Sequence, residues 1–368
     1  TPASSSILTG IYPDTNGCTE LNIPLKTETK KIAEMLSDDY RKAYYGKWHL
    51  GDEFIAQHGF TDWVSVEDLY RQYYSQPEYL EEFSTYHHYL IEQGYTPDVE
   101  REGKMVFGRL STTQLPEEHV KARFLGREAA RFIREQGENP FVLYVNFFEP
   151  HNPYTGPLDD LYDPKILPVG LHFRRRPAES ASLLHRMQAD HYMDGGEHQG
   201  LDLSTEAGCR RLRAQYMANV TLVDRGLGDI LSALAESGQA DNTIIVYTSE
   251  HGDMMGDHGI FEKSVLYEES ARVPLLMRVP WLSKEQQFIR GAIGQIDLVP
   301  TLLDLMEEPI PDDLEGESKA DLLLGGINLA GNDVFIEWNG DDARPIRLYG
   351  NGVPAEEWDR VKGPWRTI

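Results

Sequence analysis

The run Phe141-Val142-Leu143-Tyr144-Val145-Asn146-Phe147-Phe148 is the stretch that decides the fold class. A nearly continuous apolar run rich in β-forming residues predicts a strand that is covered on both faces. A helix is predicted before it at about 120–135, and another at about 204–237. The second helix is followed by a similar apolar run, Thr243-Ile244-Ile245-Val246-Tyr247-Thr248. Alternating strands and helices predict an α/β sandwich, a mostly parallel central sheet with helices on both faces.

Shorter elements are predicted before the central run. A short amphipathic helix over 26–37 leads into the extended segment Ala43-Tyr44-Tyr45. Residues 62–118 are rich in Tyr, Glu and His without sustained periodicity, which indicates a long excursion over the surface and not a sheet element. A second irregular stretch is predicted at 153–200.

Elements near the end of the chain suggest how it is organised. A helix is predicted over 296–306, and Val334-Phe335-Ile336-Glu337-Trp338 has the pattern of a strand that opens a smaller region. The predicted organisation is therefore a catalytic domain at residues 1–332 and the start of a C-terminal subdomain at residues 333–368.

Composition excludes two classes of protein. The 368 residues include 35 basic and 60 acidic side chains, and the resulting formal charge of −25 repels a nucleic-acid backbone. No run of about 18 apolar residues is present, which argues against a transmembrane segment. Cys18 and Cys209 leave the compartment open, with a periplasmic or secreted location favoured over a cytoplasmic one, and the oligomeric state is not predicted.

Both ends of the sequence suggest a piece of a longer protein. The first residues, Thr1-Pro2-Ala3-Ser4-Ser5-Ser6, include no initiator methionine and no apolar signal-peptide core. The last residues, Gly363-Pro364-Trp365-Arg366-Thr367-Ile368, form no closing turn. We expect further residues at both ends.

Chemically active side chains follow three of the predicted strands. They are Lys47 and His49 after Ala43-Tyr44-Tyr45, His151 after 141–148, and Glu250 and His251, with Lys263 further on, after 243–248. Ligands of open α/β sheets bind beyond the carboxyl ends of strands, so we expect these side chains at one edge of one sheet. Lysines suit the oxygens of sulfate or phosphate, Glu and His suit a divalent cation, and a histidine can transfer protons.

Each of these motifs also has an ordinary structural interpretation. The turn that contains Lys47 and His49 can serve to bury Trp48, and the loop around His151 can be a rigid turn with an exposed histidine. Glu250 can cap a helix N-terminus, where a carboxylate accepts from free backbone amides. The coincidence of three such loops, each after a strand, favours an anion site beside a metal site.

Five segments resemble the sulfatase family of the alkaline phosphatase superfamily, in the family's order along nearly the whole chain. They are the stretch from Thr1 to Pro13, Gly46-Lys47-Trp48-His49-Leu50-Gly51, Glu149-Pro150-His151-Asn152-Pro153, Tyr247-Thr248-Ser249-Glu250-His251-Gly252 and the stretch from Lys263 to Pro274. The second segment is the most specific. The first resembles the stretch that follows the family's nucleophile, a cysteine or serine oxidised to formylglycine.

The resemblance implies an alkaline phosphatase-like fold, a mechanism and a role for each residue. A hydrated formylglycine just before Thr1, held by a cation such as Ca²⁺, attacks the sulfur of a sulfate ester. Lys47 and Lys263 balance charge on the sulfate oxygens, and His151 protonates the departing oxygen. His49 then takes a proton so that the aldehyde re-forms. Glu250 and His251 ligate the metal, whereas His258 is expected to be structural or to support those ligands.

The sequence departs from the family's pattern at three places. The nucleophile and an acidic pair of the family's first strand would precede Thr1. Ser4 stands where the modification motif has arginine, which puts maturation in doubt. Glu250 stands where the family usually has aspartate, and its longer side chain has to shift to ligate a metal.

Two rival functions remain open at this stage. One is a phosphodiesterase or phosphonate monoester hydrolase of the same superfamily, and the other is an inactive paralogue that binds sulfated glycans. The substrate is expected to be a sulfated carbohydrate or an aryl sulfate. Aromatic residues between Tyr70 and Tyr95 and the basic run Arg174-Arg175-Arg176 could line a cleft for a sugar, or could simply be surface loops packed by their own aromatics.

Overall fold

The structure of the protein is a computed structural model. It describes residues 1–96, 99–101, 104–107, 115–198, 200–325, 329, 331–339, 354–357, 360 and 365–368. The strands within these ranges are β1 (Arg41–Gly46), β2 (Asp62–Ser65), β3 (Val99–Arg101), β4 (Lys104–Phe107), β5 (Phe141–Asn146), β6 (Glu197–His198), β7 (Leu201–Asp202), β8 (Ile245–Thr248), β9 (Leu275–Arg278), β10 (Ile336–Trp338) and β11 (Trp365–Thr367).

The α-helices vary from a single turn to 31 residues. They are α1 (Pro2–Thr9), α2 (Pro13–Asn16), α3 (Ile32–Met35), α4 (Thr85–Glu92), α5 (Lys121–Gln136), α6 (Leu183–Met193), α7 (Glu206–Glu236), α8 (Glu268–Ala271), α9 (Leu298–Leu305) and α10 (Ala320–Leu323). Short 3-10 helices occur at Arg71–Tyr73, Pro77–Glu81, Glu117–His119, Pro164–Ile166, Ala240–Asn242, Gln295–Asp297 and Ala355–Glu357. None of the helices that the structure describes is long and apolar enough to cross a membrane.

Two compact units divide the chain. The first comprises Thr1–Asp159, Ala218–Ile245 and Met277–Asn332, and the second comprises Asp160–Met217, Val246–Leu276 and Asp333–Ile368. The predicted catalytic domain at 1–332 and subdomain at 333–368 stay predictions, and part of the second range lies outside the described residues.

A parallel three-stranded sheet lies at the centre of the first unit, in the order β2-β1-β5. In its register Ala43 lies opposite Asp62 on one side and Leu143 on the other. This sheet confirms the predicted parallel architecture, but the prediction that 62–118 contains no sheet element is wrong, because β2 begins at Asp62. Four residues are too few to show a periodic pattern, and pairing with β1 is what stabilises this strand.

Neighbouring residues of β1 face opposite sides of the sheet, as strand geometry requires. Ala43 and Tyr45 are buried against residues of α5 and α7. Tyr44, between them, is buried with Leu8 of α1 and Val299 of α9. Helices therefore cover both faces of the sheet, as the apolar runs predict.

Most of the predicted helices are confirmed, and two predictions need correction. The predicted helices at 120–135, 204–237 and 296–306 correspond to α5, α7 and α9. The helix predicted over 26–37 is wrong in length, since only α3 forms; Leu36 is already extended at φ −84° and ψ 150°. One turn suffices to place Ile32 and Ala33 in the core. The irregular stretch 153–200 contains α6.

The strand predicted at 243–248 forms as β8, but its partner differs from the expected one. β8 is hydrogen-bonded to β9 in a two-stranded sheet. Only two of the three predicted strands, β1 and β5, therefore share a sheet among the described residues. An apolar run identifies a strand but not its neighbour, because pairing depends on contacts far apart in the chain.

A close crossing of α5 and α7 gives a matched pair of tests of the fold. A Cβ added at Gly226 would lie 2.6 Å from the carbonyl oxygen of Ala122, whereas one added at Gly228 meets nothing within 4 Å. We expect Gly226→Ala to lower the free energy of unfolding by about 1–3 kcal/mol through overpacking. Gly228→Ala should raise it by about 0.5–1 kcal/mol, since alanine favours the helix. Urea denaturation of both variants checks this, and effects of equal sign would contradict the crossing.

Candidate active site

The chain leaves β1 through a glycine that no other residue can replace without strain. Gly46 has φ 127°, and a Cβ there would lie 2.0 Å from the carbonyl oxygen of Asn146 on β5. This close approach lets the amide of Lys47 donate to the same oxygen at 3.1 Å. The carbonyl oxygen of Lys47 accepts from the hydroxyl of Tyr44 and from Nδ2 of Asn146, both at 2.6 Å. The backbone at Lys47 is thus fixed by both strands.

The side chain of Lys47 is buried among aromatic rings. The residue is 8% exposed, and Nζ lies 5.6 Å from the ring centroid of Tyr70 and 5.4 Å from that of Phe148. Among the described residues, no carboxylate lies within ion-pair distance of Nζ. A buried ammonium without an acidic partner is costly, so this position favours an anion brought in from outside.

His49 lies in a strained turn two residues further on. Its backbone has φ 56°, a conformation that non-glycine residues adopt rarely and that is often found at functional sites. Its ring stacks on Tyr70 with centroids 4.0 Å apart and an interplanar angle of 18°. Nε2 lies 2.9 Å from Oδ1 of Asn22. The imidazole is therefore held by contacts on its face and at one nitrogen.

The buried carboxyl group of Glu53 fixes the backbone of this turn. Oε2 of Glu53 accepts from the amide of Trp48 at 2.8 Å, and Oε1 accepts from the amide of His49 at 2.6 Å. Glu53 is 0% exposed. Burial raises the pKa of Glu53 to about 8, and outweighs the two amide hydrogen bonds, which lower it. Glu53 thus fixes the backbone between Lys47 and His49.

The raised pKa of Glu53 predicts a pH dependence of stability. A carboxyl group whose pKa is higher in the folded state contributes stability below its unfolded pKa and loses it as pH rises towards 8. We expect the free energy of unfolding to fall between pH 5 and pH 8 by about 2 kcal/mol more in the wild type than in Glu53→Gln. Urea denaturation at several pH values measures this, and parallel curves for the two proteins would contradict it.

The first residue of the chain contacts the same turn. Oγ1 of Thr1 donates to the carbonyl oxygen of His49 and accepts from the amide of Asn22, each at 3.2 Å. With the contact between Asn22 and His49, these bonds form a closed ring of three residues. The start of α1 is therefore fixed directly beside His49.

His151 lies in the loop that follows β5. Its Nδ1 lies 2.7 Å from the carbonyl oxygen of Asn152, and because a carbonyl only accepts, Nδ1 carries a proton. Its ring centroid is 5.2 Å from that of Phe148, the same ring that lies 5.4 Å from Nζ of Lys47. At the carboxyl ends of β1 and β5, Lys47 therefore shares the neighbour Tyr70 with His49 and the neighbour Phe148 with His151.

Glu250 and His251 lie together in the second unit, directly after β8. Nε2 of His251 is 3.2 Å from Oε1 of Glu250, and Nδ1 is 2.8 Å from the carbonyl oxygen of Gly252. Because Nδ1 donates to this carbonyl, Nε2 is the nitrogen with a lone pair in the neutral ring. A carboxylate oxygen and an imidazole nitrogen that lie this close are a donor pair suited to a divalent cation.

Lys263 is half-buried in the second unit and lies in a strained segment. The residues on either side of it, Glu262 and Ser264, have φ 64° and 78°. Two non-glycine positions of this kind, one on each side of a lysine, are costly, and such strain is found mainly where function requires a fixed side chain. The strain agrees with a functional interpretation of Lys263.

A second group of possible metal ligands lies in the same unit. Donor atoms of His172, His258 and Glu269 lie within 4.8 Å of one another. The imidazole rings of His172 and His258 are stacked, with centroids 4.4 Å apart and an interplanar angle of 20°, and Tyr267 stacks on the other face of His258 at 4.1 Å. Lone pairs of stacked rings run side by side and do not converge on one ion. The stack favours a structural role for His258.

Contacts in space reveal further residues that the sequence motifs do not identify. They are Asn22, Glu53, Tyr70 and Phe148. Glu53 lies two positions after the Gly46–Gly51 segment, and in the sequence only this closeness connects it with the site. Asn22 is distant in sequence and gives no signal at all. The roles assigned to the six predicted residues remain predictions.

Comparison with known proteins places this geometry in a family. The family model described as Sulfatase matches residues 1–308. The ulvan-active sulfatase of Formosa agariphila is 27% identical over 88% of this chain and 55% of its own length. The N-acetylglucosamine-6-O-sulfatase of Bacteroides thetaiotaomicron is 26% identical over 86% of this chain and 61% of its own. The chain thus spans less than two thirds of these relatives.

Solved structures show the same fold. The phosphonate monoester hydrolase of Silicibacter pomeroyi superposes with a TM-score of 0.73, covering 92% of this chain and 70% of that one, at 22% identity. The likeness confirms the predicted alkaline phosphatase-like α/β fold.

Proposed function

The chain belongs to the sulfatase family, and from this premise we propose that the protein it is part of hydrolyses sulfate esters. The observation that carries the proposal is the buried ammonium of Lys47, which has no acidic partner within ion-pair distance among the described residues. It lies near the ring of Tyr70, on which His49 stacks, and near the ring of Phe148, which His151 contacts. A sulfate group supplies the missing negative charge, and the two imidazoles supply proton transfer.

Three residues of the first unit act on the substrate in this proposal. Lys47 binds a sulfate oxygen and stabilises the charge that develops on it in the transition state. His151 carries its proton on Nδ1 and, when protonated at both nitrogens, donates from Nε2 to the departing alcohol oxygen. His49 takes the proton whose loss releases sulfate at the end of the cycle. The sulfate-binding role that the resemblance implies for Lys263 stays a prediction.

Glu250 and His251 are the proposed ligands of a divalent cation, with Ca²⁺ the expected ion. Their donor atoms fit such an ion, since Oε1 and Nε2 lie 3.2 Å apart and Nδ1 is occupied by Gly252. When bound, the cation supplies positive charge that lowers the pKa of an oxygen nucleophile. The loop after β8 that holds both residues is fixed by Oγ of Ser249, which donates to the carbonyl oxygen of His251 at 2.7 Å.

The nucleophile is proposed to be a formylglycine directly before Thr1. Support comes from the hydrogen bonds of Thr1, which place its backbone beside His49 and Asn22. A residue joined to Thr1 through one peptide bond lies within a few ångströms of that position. Ser4, where the family's modification motif has arginine, makes this the part of the proposal that most needs a test.

A sulfated carbohydrate is the proposed substrate class. Tyr70 stacks on His49, and the half-exposed Tyr73, whose amide donates to the carbonyl oxygen of Tyr70, offers an aromatic face suited to a sugar ring. Two relatives carry carbohydrate names, the ulvan-active sulfatase and the N-acetylglucosamine-6-O-sulfatase. Arg176 gives less support, because it is ion-paired with Asp190 and Asp194.

Mass spectrometry of the peptide that contains Thr1, from the full-length protein, tests the proposed nucleophile. The expected result is formylglycine at the position before Thr1. An unmodified cysteine, or a residue that cannot be oxidised, would overturn the formylglycine mechanism and favour a phosphoesterase or an inactive glycan-binding protein.

A further inference from the structure

The contact between Asn22 and His49 indicates which ring nitrogen carries the proton. Oδ1 of Asn22 lies 2.9 Å from Nε2 of His49. A carbonyl oxygen only accepts hydrogen bonds, so Nε2 has to be the donor. In the neutral imidazole only one nitrogen is protonated, and Nδ1 is then the basic atom.

Asn22 is held in place by the backbone around it. Its amide donates to Oγ1 of Thr1 at 3.2 Å, and the same hydroxyl donates to the carbonyl oxygen of His49. The backbone of Asn22 has φ 64°, which asparagine tolerates better than most residues. The three-residue ring therefore fixes the side-chain carbonyl relative to both the imidazole and the start of α1.

We propose that Asn22 is a positioning residue of the sulfatase site: its side-chain carbonyl holds His49 as the Nε2–H tautomer, so that Nδ1 is the atom that accepts the proton. This inference rests on the proposed function for the identity of the reaction, but the tautomer itself does not depend on it. The balance of the step is simple. The oxygen–hydrogen bond of the hydroxyl group whose deprotonation releases sulfate breaks, and a nitrogen–hydrogen bond forms at Nδ1. The imidazole becomes a cation, and its Nε2–H still donates to Oδ1 of Asn22.

Three other groups near His49 affect its protonation, so their contacts have to stay unchanged in the Asn22 variants. Tyr70 covers one face of the ring, Glu53 accepts from its backbone amide, and Nζ of Lys47 lies 5.6 Å from the Tyr70 ring. Substitutions at Asn22 leave all three in place. A change in the behaviour of His49 can then be assigned to the lost or altered carbonyl.

Two substitutions at Asn22 separate the effects of charge and of contact. Asn22→Asp keeps the size and tolerates the positive φ, while its carboxylate stabilises the imidazolium. We expect the acidic limb of the pH profile of kcat to move to higher pH by about one unit or more. Asn22→Gly also adopts this φ without strain but removes the contact. We expect kcat to fall by about 10- to 100-fold, with KM changed much less.

Nitrogen NMR of the histidine rings in the full-length protein measures the tautomer and the titration midpoint of His49. Neither would change in the Asn22 variants if Asn22 had only a structural role. We expect the His49 ring to show the Nε2–H tautomer in the wild type, a higher midpoint of titration in Asn22→Asp, and a mixture of tautomers in Asn22→Gly. A wild-type ring protonated at Nδ1, or a pH limb and tautomer unchanged in both variants, would overturn the proposal. If no sulfate ester is cleaved but the tautomer is as expected, the proposed function fails and the role of Asn22 stands.

Discussion

Replacing Lys47 with methionine is expected to lower kcat/KM for a sulfate ester by about 10²–10³-fold, because the charge that balances the sulfate oxygens is lost. The fold should be retained. Methionine has a similar length and suits the pocket formed by Tyr70 and Phe148, and the substitution removes an ammonium that has no acidic partner within 4 Å among the described residues. Steady-state kinetics together with urea denaturation measure both effects.

Lys42 on the same strand provides the matched control. It is buried as well, at 7% exposed, but its Nζ donates to the carbonyl oxygen of Leu36 at 3.0 Å and lies 3.7 Å from Asp38. We expect Lys42→Met to lower stability and to leave kcat/KM per folded molecule nearly unchanged. Retention of full activity in Lys47→Met, or an equal loss in both variants, would remove Lys47 from the site.

Replacing His151 with alanine is expected to have an effect that depends on the leaving group. For an alkyl or sugar sulfate, whose alcohol leaves poorly without a proton, we expect kcat to fall by about 10²–10⁴-fold. For an aryl sulfate with an acidic phenol the loss should be far smaller, since the phenolate leaves unaided. Kinetics with a series of aryl and alkyl sulfates measure the dependence on leaving-group pKa.

The exposed His88 on α4 serves as the control for histidine loss. His88→Ala should give wild-type rates on every ester of the series. If His151→Ala slows aryl and alkyl sulfates equally, His151 positions the substrate or the loop and does not protonate the leaving group.

The architecture of the first unit is predictable from the sequence because its signals are strong and local. The apolar run at β5 and the long amphipathic pattern of α7 each occur within one continuous segment. β2 gives no comparable signal, as it has only four residues and gains its stability from pairing with β1. The partner of β8 could not be predicted for the same reason, since hydrogen bonding to β9 is a tertiary property.

The candidate site divides in the same way. Lys47, His49, His151, Glu250, His251 and Lys263 can be proposed from the sequence, because each follows a strand or belongs to a segment that resembles the family's motifs, and their roles stay predictions. Asn22 and Tyr70 act through contacts with His49 at 2.9 Å and 4.0 Å, and nothing in the spacing of the sequence connects them to it. Side chains that orient a functional group are found only once the chain is folded.

The most direct test is release of sulfate by the full-length protein, followed in parallel with hydrolysis of a phosphonate monoester. The substrates are 4-nitrophenyl sulfate, a set of sulfated oligosaccharides and 4-nitrophenyl phenylphosphonate, each also assayed with Lys47→Met. We expect kcat/KM to be higher for at least one sulfate ester than for the phosphonate, and to be lost in the variant. Preferential cleavage of the phosphonate, or no cleavage of any sulfate ester by protein whose formylglycine has been confirmed, would contradict the assignment as a sulfate ester hydrolase.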